Sequence, residues 1–248
     1  MLNLFLSVIL SLPRVYAEVP WNRSFIIGSS VAERPIRVEQ IGDGPDVILF
    51  LATIHGNEWA GTPLVVNLQR HLLRNPELVR GKTVLIVPLA NPDGFIDRFR
   101  GNRNRVDLNR NFPADNYGKG FQKGTGPVSE PESRVLLKLI NRFQPNRVIA
   151  LHQPFNCVDY DGPSRDLAEQ MARSSNLKVK QIGSKSGSLG SYVGKQLQKE
   201  IITFELPYNS NQKTASYLWN RYGEALIYGV TFPNITIDTN IVEHRKEK

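Results

Sequence analysis

Short apolar runs alternate with amphipathic stretches along most of the chain. Four runs rich in β-branched and large aliphatic residues predict buried strands, at 46–54, 82–89, 147–151 and 201–204. Helical spacing of the apolar positions predicts helices at 64–73, 129–143, 164–174 and 215–230. Strands that alternate with helices are typical of one α/β domain. We therefore predict a single domain with a mixed, mostly parallel twisted sheet and helices on both faces.

Three of the predicted strands end beside a side chain that can bind a metal or move a proton. His55 follows the first strand, His152 ends the third, and Glu205 follows the last. Because ligand and catalytic sites of such sheets lie at the carboxyl ends of the strands, we expect these three side chains to converge.

Two histidines and one glutamate form the candidate metal site. Glu58 lies three residues after His55, so both can reach one ion, and His152 would complete the set from another strand. Catalytic zinc usually has three such protein ligands and one open position, and this donor set suits zinc better than magnesium or calcium. We therefore predict one Zn²⁺ ion per chain, bound by His55, Glu58 and His152. The other histidines and the single cysteine are weaker candidates, namely His71, His244 and Cys157.

Size and composition fit this interpretation. A chain of 248 residues that is 40% hydrophobic can form one sizeable core. Its 31 Lys and Arg residues against 23 Asp and Glu give a formal charge of +8, which favours anionic partners. Nucleic acid, anionic lipid or a carboxylate-rich substrate would each satisfy that charge, and the charge alone does not choose among them. No motif supports nucleic acid, so we predict no nucleic-acid partner. One cysteine excludes an intramolecular disulfide.

The N-terminal stretch resembles a secretory signal. Residues 2–12 are mostly apolar, Pro13 ends the run, and 15–17 supply the small residues that a signal peptidase reads, although no Lys or Arg precedes the run. We expect 1–17 to be a signal peptide, 18–248 to be the catalytic domain, and the location to be periplasmic or secreted. A leader that does not function would leave the protein cytoplasmic. The run is too short for a stable membrane span, and no other segment is long and apolar enough.

A long stretch with little periodicity, 95–128, follows the turn signature Asn-Pro-Asp-Gly at 91–94. Stretches of this length in a compact domain are usually functional or disordered, and strong elements on both sides favour function. Its arginines are interleaved with asparagine and glycine, a pattern that fits a substrate with several carboxylates.

The order of the motifs resembles the zinc carboxypeptidase family of metallopeptidases. The chain contains His-x-x-Glu, Asn-Pro-Asp-Gly, Asp-x-Asn-Arg-Asn, Ser-Glu-Pro-Glu, a later His, and Phe-Glu-Leu in the family's order, from residue 55 to residue 205. The resemblance covers nearly the whole predicted domain. It implies a zinc carboxypeptidase-like fold and a zinc-dependent peptidase activity.

The resemblance also implies a role for each matching residue. It makes Glu205 the general base and Arg100 the residue that stabilises the oxyanion. Asn109 and Arg110 would bind the terminal carboxylate of the substrate, and Asp107 would orient the first zinc histidine. The digestive members carry a tyrosine just before their specificity loop, which has no counterpart here, so that tyrosine's role as an optional proton donor is unfilled.

Several segments look most like the branch of the family that hydrolyses the γ-D-glutamyl–meso-diaminopimelate bond of peptidoglycan peptides. The resemblance leaves two alternatives open. One is a zinc carboxypeptidase that removes C-terminal residues from L-peptides, and the other is an aspartoacylase-like deacylase, against which the motif at 91–94 argues. A catalytically inactive wall-binding domain is disfavoured by the intact Glu205 and metal ligands. Leu189 and Gly190 hold the family position at the base of the specificity pocket and supply no charge there.

Overall fold

An eight-stranded mixed sheet organises residues 21–233, the part of the chain that the computed structural model describes. The predicted signal peptide at 1–17 and the tail with His244 lie outside these residues. The strands, numbered in chain order, are β1 (Asn22–Ser29), β2 (Pro35–Ile41), β3 (Asp46–Ala52), β4 (Lys82–Val87), β5 (Arg147–His152), β6 (Phe155–Asp161), β7 (Lys178–Lys180) and β8 (Glu200–Pro207).

The order of the strands across the sheet is β1-β2-β4-β3-β5-β8-β6-β7. The four central strands, β4, β3, β5 and β8, are parallel to one another. The antiparallel pairings, β1 with β2, β2 with β4, and β6 with β8, lie towards the edges. The mixed, mostly parallel sheet is therefore confirmed. One consequence matters for the site: His152 and Glu205 are directly paired across β5 and β8.

Helices cover both faces of the sheet, as predicted. The α-helices are α1 (Gly61–Arg74), α2 (Pro92–Asp97), α3 (Pro131–Phe143), α4 (Arg165–Ser175) and α5 (Ala215–Thr231). Alternate residues of each strand point to opposite faces, so Phe50 packs in the core shared with α1, α4 and α5, whereas Leu49 packs in the core shared with α3. Each fully buried side chain of this size contributes roughly 1.5–3 kcal/mol relative to leaving it exposed.

The periodicity of α1 shows why these segments form helices. Its buried leucines, Leu64, Leu68 and Leu72, recur every four residues and form one apolar stripe. The helix begins one turn earlier than predicted, because Pro63 is tolerated in a first turn, and it ends before Pro76, which cannot continue a helix.

Two local predictions were wrong. The Asn-Pro-Asp-Gly segment is not an isolated turn but the start of α2, where the Asn91 side chain accepts a hydrogen bond from Gly94 N. Helix α3 begins at Pro131, with Glu130 as its N-cap, and not at the predicted residue 129. The Ser129 hydroxyl bonds instead to the carboxylate of Glu130 and to the side chain of Asn111, so it does not reach the helix amides.

The remaining strands gave no clear signal in the sequence. β1 is mostly exposed, β7 is only three residues long, and β6 carries polar residues on the face that lines the site. A π-helix at Gly190–Gln196 was also not anticipated. Within residues 21–233, no helix has the length and apolar character needed to cross a membrane.

Candidate metal centre and active-site cleft

His55, Glu58 and His152 converge at the carboxyl ends of β3 and β5. Glu58 Oε2 lies 2.9 Å from His55 Nδ1 and 3.0 Å from His152 Nδ1, and the two imidazole nitrogens are 3.1 Å apart. All three residues are buried, and they form a group that can hold one metal ion. Four-coordinate zinc with bonds of about 2.0–2.2 Å places its ligand atoms roughly 3.4 Å apart, so a small outward shift of the side chains would accommodate the ion.

The loop that carries His55 and Glu58 is held by close packing of glycines. A Cβ on Gly56 would lie only 1.9 Å from the carbonyl carbon of Gly94, so only glycine allows this approach. Asn91 stabilises this approach of Gly56 to Gly94, because its side chain donates a hydrogen bond to the carbonyl oxygen of Ile54. The Asn-Pro-Asp-Gly segment therefore supports the metal-binding loop from behind.

Asp107 connects the metal group to Arg100. Its carboxylate accepts a hydrogen bond from His55 Nε2 at 3.1 Å and another from Arg100 Nε at 3.0 Å. Burial raises the pKa of Asp107, but the His55 hydrogen bond and the nearby positive charges outweigh it and hold that pKa well below its usual range. The ionised Asp107 therefore keeps the proton of His55 on Nε2, which leaves Nδ1 with the lone pair that a metal requires.

Arg100 also contacts a metal-binding residue directly. Its Nη1 donates to Glu58 Oε1 at 2.8 Å, while Glu58 Oε2 faces the two histidines. The Arg100 side chain is 36% exposed and lines the clefts on both sides of the metal group. A positive charge is thus fixed at the rim of the site by two carboxylates.

Glu205 ends up beside the metal group because β8 is paired with β5. It is buried at 6% exposure, lies on the wall of the cleft with His55 and His152, and accepts a long 3.4 Å hydrogen bond from Phe155 N. Burial raises the pKa of Glu205, His152 lowers it and Glu58 raises it, and the net shift is upward. The carboxylate is accordingly a stronger base than an exposed glutamate.

Asn109 and Arg110 line the same cleft, a space of about 270 Å³ that opens beside the metal group. Leu189 N donates to Asn109 Oδ1 at 2.9 Å, which fixes the orientation of the amide and leaves its NH₂ group as the donor for a ligand. Arg110 Nη1 donates to the backbone oxygen of Asn109. A second cleft, of about 570 Å³, lies on the other side of Arg100 and is lined by Trp59 and Tyr208 among others.

The structure brings all eight candidate residues to one edge of the sheet. Asn211 was missed by the sequence analysis: its side chain accepts hydrogen bonds from Trp59 N and Ala60 N and donates to Asn57 O, so it fastens the metal-binding loop. Nothing in the sequence around Asn211 indicates this contact. Asp159 and Asp161 were also missed, although the alternation of polar and apolar residues in Val-Asp-Tyr-Asp could have suggested a half-buried strand.

The donor set agrees with zinc. Two imidazole nitrogens and one carboxylate oxygen form a three-ligand set of the kind that catalytic zinc sites use, with space on the cleft side for a further ligand. Cys157 does not join it: the thiol is buried in β6, and burial together with Glu205 raises its pKa to about 11. The α/β fold and this centre define the protein as a zinc metallopeptidase of the carboxypeptidase type.

Comparison with known proteins agrees with that class. The chain belongs to the zinc carboxypeptidase family, whose model matches residues 18–228. It is 35% identical to murein peptide amidase A of Escherichia coli over 69% of this chain and 76% of that protein. It is 24% identical to gamma-D-glutamyl-L-diamino acid endopeptidase 1 of Lysinibacillus sphaericus over 86% of this chain and 67% of that one. The crystal structure of murein-tripeptide amidase from Escherichia coli O157 superposes with a TM-score of 0.67 at 29% identity, covering 82% of this chain and 91% of the other.

Proposed function

We propose that this zinc peptidase hydrolyses the γ-D-glutamyl–meso-diaminopimelate bond of murein peptides. The similarity to murein peptide amidase A over most of both chains supports the substrate. The observation that carries the chemistry is the placement of a buried carboxylate, Glu205, and a carboxylate-binding pair, Asn109 and Arg110, in one cleft with the metal group.

Glu205 is the general base in this proposal. Its raised pKa lets it accept a proton from the attacking water and later deliver that proton to the amine that leaves. Glu205 is only 6% exposed on the wall of the cleft, so its carboxylate is largely desolvated. Zinc bound by His55, Glu58 and His152 would supply Lewis-acid chemistry, which activates water and polarises the scissile carbonyl group.

Arg100 stabilises the negative charge that develops on the carbonyl oxygen. Its guanidinium is fixed by Glu58 and Asp107, so it presents its charge without having to reorganise. Preorganised donors of this kind contribute roughly 3–4 kcal/mol each to catalysis. Because Arg100 lines both clefts, the scissile bond would lie between them, next to the metal group.

Asn109 and Arg110 bind the free α-carboxylate of the leaving residue. An arginine can bind a carboxylate through two parallel hydrogen bonds, and the NH₂ group of Asn109 adds a third donor. Burial lowers the pKa of Arg110, Asp107 and Glu58 oppose that shift, Arg100 adds to it, and the guanidinium remains charged. This pair would require a substrate whose leaving residue ends in a free carboxylate.

The same geometry also fits a second activity, the removal of C-terminal residues from L-peptides, which family membership supports. No feature of the site favours the aspartoacylase-like alternative. A single experiment distinguishes the activities. The purified protein is incubated with L-Ala-γ-D-Glu-meso-diaminopimelate and with L-peptides of the same length, each with and without a chelator. Chelator-sensitive release of diaminopimelate supports the proposal, whereas cleavage of the L-peptides alone refutes it.

We further propose that the protein acts outside the cytoplasm on wall-derived peptides and does not bind nucleic acid. The location rests on the leader-like sequence at 1–17, and fractionation with N-terminal sequencing of the mature protein tests it. The proposal that the protein does not bind nucleic acid rests on the contacts of the arginine-rich stretch. Arg98 stacks on Trp59, Arg105 stacks on Phe99, and Arg103 forms an ion pair with an aspartate. These cations therefore have partners within the chain. Retention of the purified protein on immobilised nucleic acid at physiological salt would contradict this proposal.

A further inference from the structure

The second cleft, on the other side of Arg100, is the space that the acyl half of the substrate would occupy. The leaving residue fills the cleft that holds the carboxylate-binding pair, so the rest of the substrate must continue past the metal group. The second cleft has a volume of about 570 Å³, and Arg100 lies between it and the first. Its walls carry the aromatic side chains of Trp59 and Tyr208 and a further cation, Arg98. Arg98 takes no part in the steps of the proposed reaction.

The guanidinium of Arg98 is held in a corner between two aromatic rings. Its central carbon, Cζ, lies 4.2 Å from the ring centre of Trp59 and 4.6 Å from that of Phe95, and these two rings meet edge to face. The backbone is fixed as well, because Arg98 closes α2 with a left-handed φ of 51° and its N–H bonds to the carbonyl oxygens of Gly94 and Phe95. Contact with ring faces uses the flat surface of a guanidinium, and the N–H groups in its plane stay able to bind an anion.

The charge of Arg98 has no carboxylate partner within residues 21–233. Arg100 in the same cleft already pairs with two carboxylates, and the aspartate next to Arg98, Asp97, pairs with Arg103. The Arg98 side chain is exposed to the cleft, and it donates no hydrogen bond to a residue of the described range. Arg98 therefore brings an uncompensated positive charge to the cleft.

A γ-linked D-glutamyl residue carries the group that such a charge would bind. Because its side-chain carboxyl group forms the scissile bond, its α-carboxylate remains free. Four carbon–carbon bonds join the scissile carbonyl carbon to that carboxylate carbon, a distance of about 5 Å when the chain is extended. The α-carbons of Arg98 and Arg100 are at most about 7 Å apart, and both side chains line the same cleft. One guanidinium can therefore reach the oxyanion while the other reaches the α-carboxylate.

We infer that Arg98, held against Trp59 and Phe95, binds the free α-carboxylate of the D-glutamyl residue and so selects γ-linked acidic substrates. This inference rests on the proposed function, because it assumes that the acyl half of a γ-D-glutamyl peptide occupies the second cleft. An α-linked peptide with a neutral residue at that position offers no carboxylate to Arg98.

Two peptides that differ only in this carboxylate test the inference. They are L-Ala-γ-D-Glu-meso-diaminopimelate and the same peptide with D-isoglutamine, in which an amide of the same shape replaces the α-carboxylate. The value of kcat/KM is measured for each, and the wild-type protein is expected to prefer the carboxylate peptide at least about fivefold. The preference is smaller than in an enclosed site, because the wall that carries Arg98 is exposed to solvent.

Arg98→Gln is expected to remove most of that preference through a loss of rate on the carboxylate peptide. Arg103→Gln is the matched control: it removes the same charge five residues away, from a side chain that pairs with Asp97 and does not line the cleft. The control should leave the preference unchanged. An unchanged preference in Arg98→Gln, or an equal loss of rate on both peptides, would overturn the inference.

A competition experiment on the wild-type protein needs no variant. The acyl products L-Ala-D-Glu and L-Ala-D-isoglutamine both carry the γ-carboxylate that cleavage releases, and they differ only at the α-position. L-Ala-D-Glu should inhibit at least about fivefold more strongly, because only its α-carboxylate can pair with Arg98. Equal inhibition by the two products would also overturn the inference.

Failure of the proposed function gives a different result. In that case neither γ-linked peptide would be cleaved, whereas L-peptides would be. The comparison is then made with L-peptides that carry glutamate or glutamine before the leaving residue, since the glutamate side-chain carboxylate is also four bonds from the scissile carbonyl carbon. A preference for glutamate that depends on Arg98 supports the inference even there, and its absence refutes it.

Discussion

Replacement of Asp107 by asparagine tests the connection between the metal group and Arg100. Asp107 accepts hydrogen bonds from His55 Nε2, Arg100 Nε and Asn109 N, at 3.1, 3.0 and 2.9 Å. The asparagine oxygen can still accept from His55 and Asn109, but its NH₂ group would face another donor, Arg100 Nε. The variant therefore loses one charge-assisted hydrogen bond and the negative charge that holds the imidazole tautomer.

The expected loss can be estimated from these contacts. A hydrogen bond to a charged group contributes about 1.5–3 kcal/mol. Partners that orient a metal-binding histidine change metal affinity or activity by about 10- to 100-fold, or roughly 1.4–2.7 kcal/mol, when they are removed. Both estimates agree, so we expect Asp107→Asn to bind zinc 10- to 100-fold more weakly and to lower kcat even at saturating zinc, because Arg100 is no longer fixed.

Competition with a chromogenic chelator measures the zinc affinity, and kcat is then measured in excess zinc. Asp115→Asn, a change in the same irregular stretch at an exposed residue, is the control and should behave as the wild-type protein. If Asp107→Asn bound zinc with wild-type affinity and turned over at the wild-type rate, Asp107 would not orient His55, and the argument for the metal centre's geometry would be wrong.

Further predictions concern the base, the carboxylate clamp and the glycine contact. Glu205→Gln should abolish hydrolysis while zinc content stays near one per chain; turnover at the wild-type rate would exclude Glu205 as the base. Because the pKa of Glu205 is raised and only the ionised carboxylate accepts a proton, kcat should fall as the pH drops through a value above the ordinary 4.5, as a pH–rate profile measures. Arg110→Lys should raise KM about tenfold for substrates with a free terminal carboxylate, since lysine cannot form two parallel hydrogen bonds, and should leave amidated analogues unaffected. Gly56→Ala should reduce the free energy of unfolding by about 1–3 kcal/mol in urea titrations, because its methyl group would overlap Gly94. An unaltered urea midpoint of unfolding would show that the loop around Gly56 can move away from Gly94.

The sequence predicts the central part of the fold well. The four parallel strands and the four longer helices appear within a few residues of their expected positions, because their apolar positions repeat with the period of a buried strand or an amphipathic helix. The strands outside this central set, β1, β2, β6 and β7, were not predicted. β1 is largely exposed, and β6 shows only a short alternation of polar and apolar residues around Asp159 and Asp161, so neither has the long apolar run of a central strand.

The candidate metal ligands could also be identified from the chain alone. His55 and His152 stand at the carboxyl ends of predicted strands, and the three-residue spacing of Glu58 from His55 allows both to bind one metal ion. Asn211 and the two aspartates of β6 belong to none of these motifs, so their place in the site is visible only in the tertiary structure.

The sequence by itself determined which residues are buried in strands and helices and which ones have the chemistry of a zinc peptidase. Only the tertiary structure decided what surrounds them. It pairs β8 with β5, which brings Glu205 to His152, and it inserts β6 antiparallel beside β8, which places Asp159 and Asp161 below the proposed base. The physical reason is that local periodicity reports the backbone conformation and the burial of each segment, whereas the order and direction of strands in the sheet depend on packing between residues distant in the chain.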